Sequence, residues 1–429
     1  MESSREFDIV VLGPTGYTGK YCAEHIVTHL PTNLRWALAG RSTKKIEGVA
    51  QELEKLNPDR SKPEIISVQL NKEELRSLAE RTKLIINCVG PYHIYSTPVV
   101  EACANAGTHY IDAWVSNRGE SVALANCCRT GETPWVKQTV DEYHGTAQSN
   151  GAIIIHCVGI ESAPADMLAY ALVREVREKL SCHTREITGS IYEFKSSGAS
   201  GGTLASILTC IEDFSRSHLL ESTKPFSLSA SPPPKDIPSD SIMARVLGVQ
   251  AIRELGTLTK SPTDFCDMTI VHRSSTLMPE LYGPRFYFRQ FLNVRNTFVG
   301  ILWNYAFLIG TALLLLAPVR SLVKKVVYAP GRGPTAESGR NDLCEYRAIA
   351  TPDQDTPKRV LGKLKYDGSS MYHFTGVLMA EAAMVILENE EKVKKVAGGG
   401  IVTPATLGQE YLDRLEKIGC HVETQVLEN

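Results

Sequence analysis

A glycine-rich turn between a strand and a helix near the N-terminus constrains the fold of this chain more than any other feature. Residues 7–12 form an apolar, β-branched run of strand length, and Gly13-Pro-Thr-Gly-Tyr-Thr-Gly19 follows it directly. An amphipathic helical pattern then extends to Leu30. Strand, turn and helix in this order form the first unit of a dinucleotide-binding sheet, where glycines let the backbone approach a pyrophosphate.

The end of the second predicted strand indicates which dinucleotide is bound. Ala39-Gly40-Arg41 lacks the Asp or Glu that usually holds the ribose hydroxyl of NAD. A guanidinium can bind a 2′-phosphate through two hydrogen bonds, so the sequence favours NADP(H); a solvated surface arginine is the alternative. The predicted cofactor-binding residues are Gly13, Thr15, Gly16, Tyr17, Thr18, Gly19, Gly40, Arg41, Cys88, Val89, Gly90 and Pro91.

Apolar runs of strand length alternate with helical patterns through the first 165 residues, which is typical of a parallel sheet. They include a predicted strand at 109–112 and a predicted helix that begins after a cap at Asn71 and extends to about Arg81. A later segment contains further strand-like runs, among them 185–194, 265–271 and 360–366. We therefore predict an α/β protein with an N-terminal Rossmann doubly wound parallel sheet and a second α/β (α+β) domain.

The same residues resemble the saccharopine dehydrogenase-like oxidoreductases, a family that includes the mycobacterial trans-acting enoyl reductases. The matching motifs are Gly13–Gly19, Ala39-Gly-Arg41, Asn87-Cys-Val-Gly-Pro-Tyr92, Tyr110-Ile-Asp112, Thr130-Gly-Glu132, Gly159-Ile-Glu-Ser-Ala-Pro-Ala-Asp166, Gly201-Gly-Thr203 and Gly399-Gly-Ile-Val-Thr-Pro404. The resemblance implies an NADP-binding Rossmann domain to which the C-terminal segment returns. That domain would comprise residues 1–165 and about 372–429, leaving 166–371 for a substrate and dimerisation domain.

One segment departs from the family pattern. In the family, the Asp of the fifth strand is followed closely by Thr-Gly-Glu, whereas here residues 114–129 separate Asp112-Ala113 from Thr130-Gly-Glu132. These 16 residues are either a functional loop insertion at the active-site edge of the sheet or a retained intron in the gene model.

A 20-residue run without charge occupies positions 298–317, with basic residues on both sides. Its length as a helix suffices to cross a bilayer. A span would, however, separate the C-terminal segment from the cofactor domain. An in-plane or hairpin membrane-associating helix fits better, with a core or dimer-interface helix and a true span as alternatives. We expect the protein at the cytoplasmic side of a membrane or lipid droplet, and a homodimer is a further expectation.

Composition excludes several other classes of function. The chain of 429 residues has 46 Lys and Arg against 48 Asp and Glu, a net charge of −2, so we expect no nucleic-acid partner. Its 11 cysteines form no C-x-x-C pair, and no spacing indicates a metal site. Residues 1–8 contain no apolar stretch, so we expect that the protein is not secreted.

Together with the cofactor motifs, the resemblance implies an NADPH-dependent oxidoreductase of the enoyl or imine/carbonyl reductase type. The chain is more similar to the branch of the family associated with lipids and polyketides, which implies a hydrophobic, lipid-like or polyketide substrate and a role in secondary metabolism. Reduction also requires a proton donor, and the candidates are Tyr92, Tyr95, Asp112 and Glu132. Two alternatives from other classes are a non-redox isomerase or cyclase on the same scaffold and a lipid-surface protein with a vestigial nucleotide site.

Overall fold

Two seven-stranded sheets organise the chain in a computed structural model that describes residues 5–113, 132–198, 209–314, 316–326, 338–354 and 358–428. The strands are β1 (Phe7–Leu12), β2 (Trp36–Gly40), β3 (Glu64–Ser67), β4 (Thr82–Asn87), β5 (His109–Asp112), β6 (Ile153–Ile155), β7 (Thr184–Lys195), β8 (Val249–Ile252), β9 (Gly256–Lys260), β10 (Tyr287–Val294), β11 (Leu343–Pro352), β12 (Val360–Asp367), β13 (Gly400–Val402) and β14 (His421–Val426). The helices are α1 (Tyr17–His29), α2 (Thr43–Leu56), α3 (Lys72–Arg81), α4 (Tyr92–Tyr95), α5 (Thr97–Ala106), α6 (Thr133–Ser149), α7 (Ala163–Leu180), α8 (Arg216–Ser222), α9 (Ile242–Leu247), α10 (Asp264–Leu277), α11 (Pro279–Tyr282), α12 (Thr297–Leu314), α13 (Ala317–Val326), α14 (Met371–Ala397) and α15 (Gly408–Lys417).

The first sheet is parallel throughout and has the order β13-β6-β5-β4-β1-β2-β3. The chain runs outward from β1 to β3, then crosses back to β4 and runs outward on the other side. Helices α1 and α14 pack together on one face, while α3, α5 and α6 pack side by side. The change of direction between β1 and β4 opens a crevice at the carboxyl ends of the strands, where such sheets bind ligands.

Local signals in the sequence set several elements of this sheet. The strand at 109–112 has the predicted limits. The predicted cap of α3 is confirmed, because the side chain of Asn71 accepts a hydrogen bond from the backbone N–H of Glu74 at 3.0 Å. These elements leave the carboxyl ends of β1, β2, β4 and β5 at one edge.

The second sheet is mixed and has the order β14-β12-β11-β7-β10-β9-β8. Only the β7–β10 pair is parallel. Helix α7 packs on β7, β11 and β12, and one apolar core continues from this sheet into the first. The strand predicted at 265–271 is wrong, because these residues form the first half of α10. That helix is buried on nearly all sides, so its sequence lacks the polar face by which a helix is normally detected.

The C-terminal segment completes both sheets rather than the first alone. Strand β13 pairs in parallel with β6, so that Ile401 lies beside Ile154. Strand β14 pairs antiparallel with β12, so that Val426 lies beside Val360. The prediction that 372–429 belongs to the Rossmann domain is therefore wrong for β14, which satisfies the otherwise open backbone edge of β12.

Among the residues that the structure describes, two helices are long and apolar enough to cross a membrane, by length and composition alone. In α14, 83% of the most apolar 18-residue stretch is buried, and the helix packs against α1, β4 and β5 as a core helix. Helix α12, which contains most of the predicted apolar segment 298–317, is only 28% buried. The strands on either side of it, β10 and β11, belong to one sheet, so a span that placed them on opposite sides of a bilayer would break that sheet.

Candidate functional site

The glycine turn after β1 is held in close contact with the turn after β4. Gly13 has a φ of +84°, and a Cβ atom there would lie 2.7 Å from the side chain of Val89. A Cβ on Gly19 would lie 2.3 Å from the carbonyl oxygen of Gly13 and 3.1 Å from Cβ of Cys88. Only glycine fits these two positions, so the sequence correctly predicts a tight turn with close helix packing.

The N-terminus of α1 fits a phosphate group. Its N-cap residue, Gly16, offers no side-chain oxygen to the first-turn N–H groups, and that turn has no acidic residue. The N–H groups of Thr18 and Gly19 lie in the first turn of α1, where the helix itself supplies no carbonyl partner, so they can bind an anion. Thr15 is exposed beside them.

The end of β2 fits the 2′-phosphate of NADP. Gly40 ends the strand, and Arg41 follows with an exposed side chain and no acidic residue beside it in sequence. The side chain of Tyr17 is half-buried, with its ring edge-on to Tyr372 at 4.9 Å, and burial raises the pKa of its hydroxyl. Tyr17 is the first residue of α1, beside the position predicted for the phosphate.

Hydrogen bonds fix the turn after β4, which contains the predicted residues Cys88, Val89, Gly90 and Pro91. The side-chain amide of Asn87 donates to Ser96 Oγ at 2.7 Å and to Tyr110 Oη at 3.0 Å. The backbone N–H of Val89 donates to Asn87 Oδ1 at 3.1 Å, and Ser96 Oγ donates to the carbonyl of Val89 at 3.1 Å. This network holds the turn against the first glycine turn.

A buried histidine and glutamate form a pair immediately after this turn. Glu132 is completely buried, and its Oε1 lies 2.9 Å from Nδ1 of His93. The same oxygen accepts a hydrogen bond from the backbone N–H of Tyr92 at 2.9 Å. Burial raises the pKa of Glu132, while the bond to His93 opposes that shift. Glu132 is one of the proton donors predicted from the sequence, whereas His93, whose partner lies 39 residues away along the chain, is not among them.

The other ring nitrogen of His93, Nε2, is also buried. Nε2 lies 3.4 Å from Oδ2 of Asp213, whose side chain is 54% exposed. The ring of Phe214 lies 6.1 Å from the His93 ring, measured between centroids. His93 thus lies between the buried carboxylate of Glu132 and the exposed carboxylate of Asp213, with the ring of Phe214 beside it.

The other predicted proton donors occupy different environments. Tyr92 is buried, with its ring 6.0 Å from that of Trp135 and its hydroxyl 3.4 Å from the carbonyl of Asn87, and burial raises its pKa well above the usual range. Tyr95 is 39% exposed. Tyr92 therefore serves as a packing residue beneath the site, and its raised pKa makes its hydroxyl a weak proton donor.

Both carboxylate oxygens of Asp112 are engaged by neighbouring groups. Oδ2 lies 2.6 Å from Nδ1 of His156, and Oδ1 accepts a hydrogen bond from the N–H of Cys157 at 3.0 Å. Nε2 of His156 lies 3.1 Å from Thr139 Oγ1. Cys157 follows β6 and has a φ of +64°, which is unusual for a residue other than glycine. Its hydrogen bond to Asp112 stabilises the chain in this turn. This geometry gives Asp112 a positioning role.

Two sequence predictions concern other features of this edge. The segment 114–129, predicted to be an insertion or a retained intron, lies outside the described residues. Among the residues that the structure describes, no group of three or more His, Cys, Asp or Glu side chains is arranged to hold a metal ion.

Comparison with known proteins places this geometry in a family. Residues 9–155 match the model of the saccharopine dehydrogenase NADP-binding domain. The apo saccharopine dehydrogenase (L-Glu forming) of Saccharomyces cerevisiae shares the fold, with a TM-score of 0.50 and 10% identity over 98% of this chain and 100% of that one. This likeness confirms the predicted α/β architecture with an N-terminal Rossmann-like parallel sheet.

Two mycobacterial relatives extend over nearly the whole chain. A Mycobacterium tuberculosis protein that bears the trans-acting enoyl reductase name is 31% identical over 445 aligned positions, which cover 98% of each chain. The trans-acting enoyl reductase of Mycobacterium ulcerans is 27% identical over 97% of each chain. The chain therefore belongs to the saccharopine dehydrogenase-like family of NADP-dependent oxidoreductases, in the branch of the trans-acting enoyl reductases.

Proposed function

We propose that the protein reduces an enoyl group of a hydrophobic, lipid-like or polyketide substrate with NADPH, and that His93 and Glu132 supply the proton. The observation that carries this proposal is the buried His93–Glu132 pair beside the turn after β4. The names of the full-length relatives favour an enoyl group over an imine or carbonyl group. A role in secondary metabolism stays a prediction.

The protein's first task is to bind and orient the cofactor, which when bound supplies hydride. The N–H groups at the start of α1 would hold the pyrophosphate, and Arg41 would hold the 2′-phosphate. The fixed turn at Val89-Gly90-Pro91 packs against Gly13 and would line the nicotinamide half.

The second task is to place a proton beside the reacting double bond. Glu132 binds Nδ1 of His93 and thereby fixes the orientation of the imidazole ring. Nε2 is then the end of the pair that can present a proton to a substrate atom. Because Glu132 is buried and fixed by the Tyr92 N–H, the pair needs little rearrangement during the reaction.

The surroundings of His93 suit an apolar substrate. Phe214 lies beside the imidazole, and the stacked rings of Tyr92 and Trp135 lie behind the turn. Apolar walls around one or two polar groups are typical of small-molecule sites. They would also exclude water from the carbon atom that accepts hydride.

The test uses the full-length protein, NADPH and the N-acetylcysteamine thioester of crotonic acid as an enoyl probe. His93→Gln and Glu132→Gln each remove the proton-donating pair while keeping a polar side chain of similar size. We expect turnover to fall by about 10²- to 10⁴-fold with the Kd for NADPH unchanged. His218→Gln is the matched control, because His218 stacks on Phe214 at 5.1 Å but bonds to the carbonyl of Pro134; its turnover should match wild type.

Product mass separates the alternative functions. A gain of two hydrogens with consumption of NADPH supports reduction, whereas a rearranged product of unchanged mass would establish an isomerase or cyclase. A protein that does not bind NADPH at all would be a lipid-surface protein with a vestigial site. Full turnover by His93→Gln would refute the assignment of the proton donor while leaving the reductase intact.

A further inference from the structure

Helix α12 exposes a continuous apolar stripe to solvent. Its outward residues recur at helical spacing, which places them on one face. They are Phe298, Leu302, Tyr305, Ile309 and Leu313, between 43% and 76% exposed. Large contiguous apolar surfaces are uncommon on soluble monomers and mark contact sites.

The opposite face of α12 fixes the helix flat on the second sheet. A Cβ on Gly300 would lie 2.6 Å from the side chain of Val249 in β8, so the helix backbone lies directly on that strand. Thr259 Oγ1 donates to the carbonyl of Gly300 at 3.1 Å, and Trp303 Nε1 donates to the carbonyl of Lys260 at 3.2 Å. The apolar stripe is therefore held outward by a rigid support.

Helix α9 extends the same surface. The hydroxyl of Tyr305 donates to the carbonyl of Val246 at 3.0 Å, which fixes the two helices side by side. Ile242 and Val246 in α9 are 80% and 59% exposed. We define the lipid face as the exposed apolar residues of α9 and α12.

The segment that contains α12 is basic in sequence. Residues 281–336 contain seven Arg and Lys and no Asp or Glu, although Arg285, Arg289 and Arg320 pair with carboxylates from other segments. Arg245 in α9 and Arg295, just before α12, are both exposed. Apolar side chains next to basic ones are typical of helices that lie in the interface of an anionic membrane.

We infer that the lipid face docks the protein on an anionic phospholipid surface, with α12 in the plane of the interface rather than across it. The exposed apolar residues would enter the acyl region of the lipid, while the exposed arginines would bind lipid phosphates. Together they indicate that the partner is an anionic phospholipid. This docking does not depend on the proposed reaction. That the surface is the cytoplasmic side of a membrane or a lipid droplet stays a prediction.

Contacts at the C-terminal end of α12 also connect the lipid face with the candidate site. Ile211 packs with Leu314, Val319 and Val323 near the end of α12, and Arg320 lies 3.3 Å from Glu212. The next residue, Asp213, is the one that lies beside His93. If the proposed function holds, a substrate dissolved in the membrane would enter close to its proton donor.

The test is co-sedimentation of the full-length protein with vesicles of phosphatidylcholine alone or of phosphatidylcholine and phosphatidylglycerol in equal parts. We expect binding to the anionic vesicles that weakens as salt is added. The double variant Leu302→Glu/Ile309→Glu should reduce binding at least about tenfold. Leu56→Glu is the matched control, since Leu56 is 52% exposed on α2 of the first sheet; its binding should match wild type.

A second variant tests the charge. Arg245→Glu/Arg295→Glu should weaken binding to anionic vesicles about tenfold or more and leave any binding to neutral vesicles unchanged. All variants change exposed side chains, so their melting temperatures should stay at the wild-type value. The inference is overturned if wild type stays in the supernatant with both vesicles. It is also overturned if the wild-type protein is a dimer in solution without lipid and the Leu302→Glu/Ile309→Glu variant is a monomer. In that case a second copy of the chain covers the lipid face.

Discussion

Replacing Gly19 with alanine tests whether the close packing of the glycine turn is what creates the cofactor site. The added Cβ would lie 2.3 Å from the carbonyl oxygen of Gly13, against about 3.4 Å for ordinary contact. The start of α1 and the turn must therefore separate by about 1 Å. The obstructing atom belongs to the backbone, so no side-chain rotation relieves the overlap.

Overpacking of this kind costs about 1–3 kcal/mol. Because the strain moves the N–H groups that we expect to hold the pyrophosphate, part of this cost appears in binding. A loss of 1–3 kcal/mol raises the Kd for NADPH roughly 5- to 150-fold. The assay is a fluorescence titration of NADPH into the full-length protein, with thermal unfolding measured in parallel.

Gly48→Ala is the matched control for this experiment. Gly48 also lies in a helix of the first sheet, within α2, but a Cβ there would meet no atom within 4 Å. Alanine should stabilise that helix by up to about 1 kcal/mol and leave the Kd unchanged. If Gly19→Ala binds NADPH as wild type does and melts at the same temperature, the close-packing argument is refuted.

Three further substitutions test other parts of the structure. Arg41→Ala should raise the Kd for NADPH about tenfold or more and leave that for NADH unchanged, because only NADPH has the 2′-phosphate; equal weakening of both would contradict the role of Arg41. Burial raises the pKa of Asp166 to about 7 from 3.8, so its contribution to stability is present below about pH 4 and lost as pH rises through 7. Asp166→Asn should remove that pH dependence, worth about 4 kcal/mol, from denaturant unfolding; an unchanged pH profile would refute the assignment. Gly376→Ala would bring a Cβ within 2.7 Å of the backbone nitrogen of Cys22, so the contact between α14 and α1 should lose about 1–3 kcal/mol in the same unfolding measurement; an unaltered midpoint would argue against it.

The first sheet was predictable because its signals are local. A strand, a glycine turn and a capped helix each depend on neighbours in sequence, as the limits of β5 and the Asn71 cap show. The second sheet was harder to predict, because burial removes the polar face of α10 and makes residues 265–271 look like a strand. The sequence of β14 also does not indicate which sheet the strand joins. Its pairing with β12 depends on the open edge of that strand and not on neighbouring residues in sequence.

The candidate site divides in the same way. The cofactor turns follow from glycine spacing and from the position of Arg41. His93 does not, because nothing near it in sequence indicates that Glu132 will be its partner. Asp112 appeared as a candidate acid from its place at a strand end, but only the structure shows His156 and the Cys157 N–H occupying both its oxygens.

The pairing of β13 with β6 has a consequence for how the protein is made. The two strands start at residues 153 and 400, so the ribosome adds 247 residues from the start of the first strand to the start of the second. At the usual rate of translation this takes roughly 12 to 50 seconds. Throughout that interval the edge of β6 is open, and the faces of β4 and β5 that α14 will cover are bare apolar surface. The half of the molecule that leaves the ribosome first is therefore among the last to be finished, and the nascent chain must be shielded until its C-terminal segment arrives.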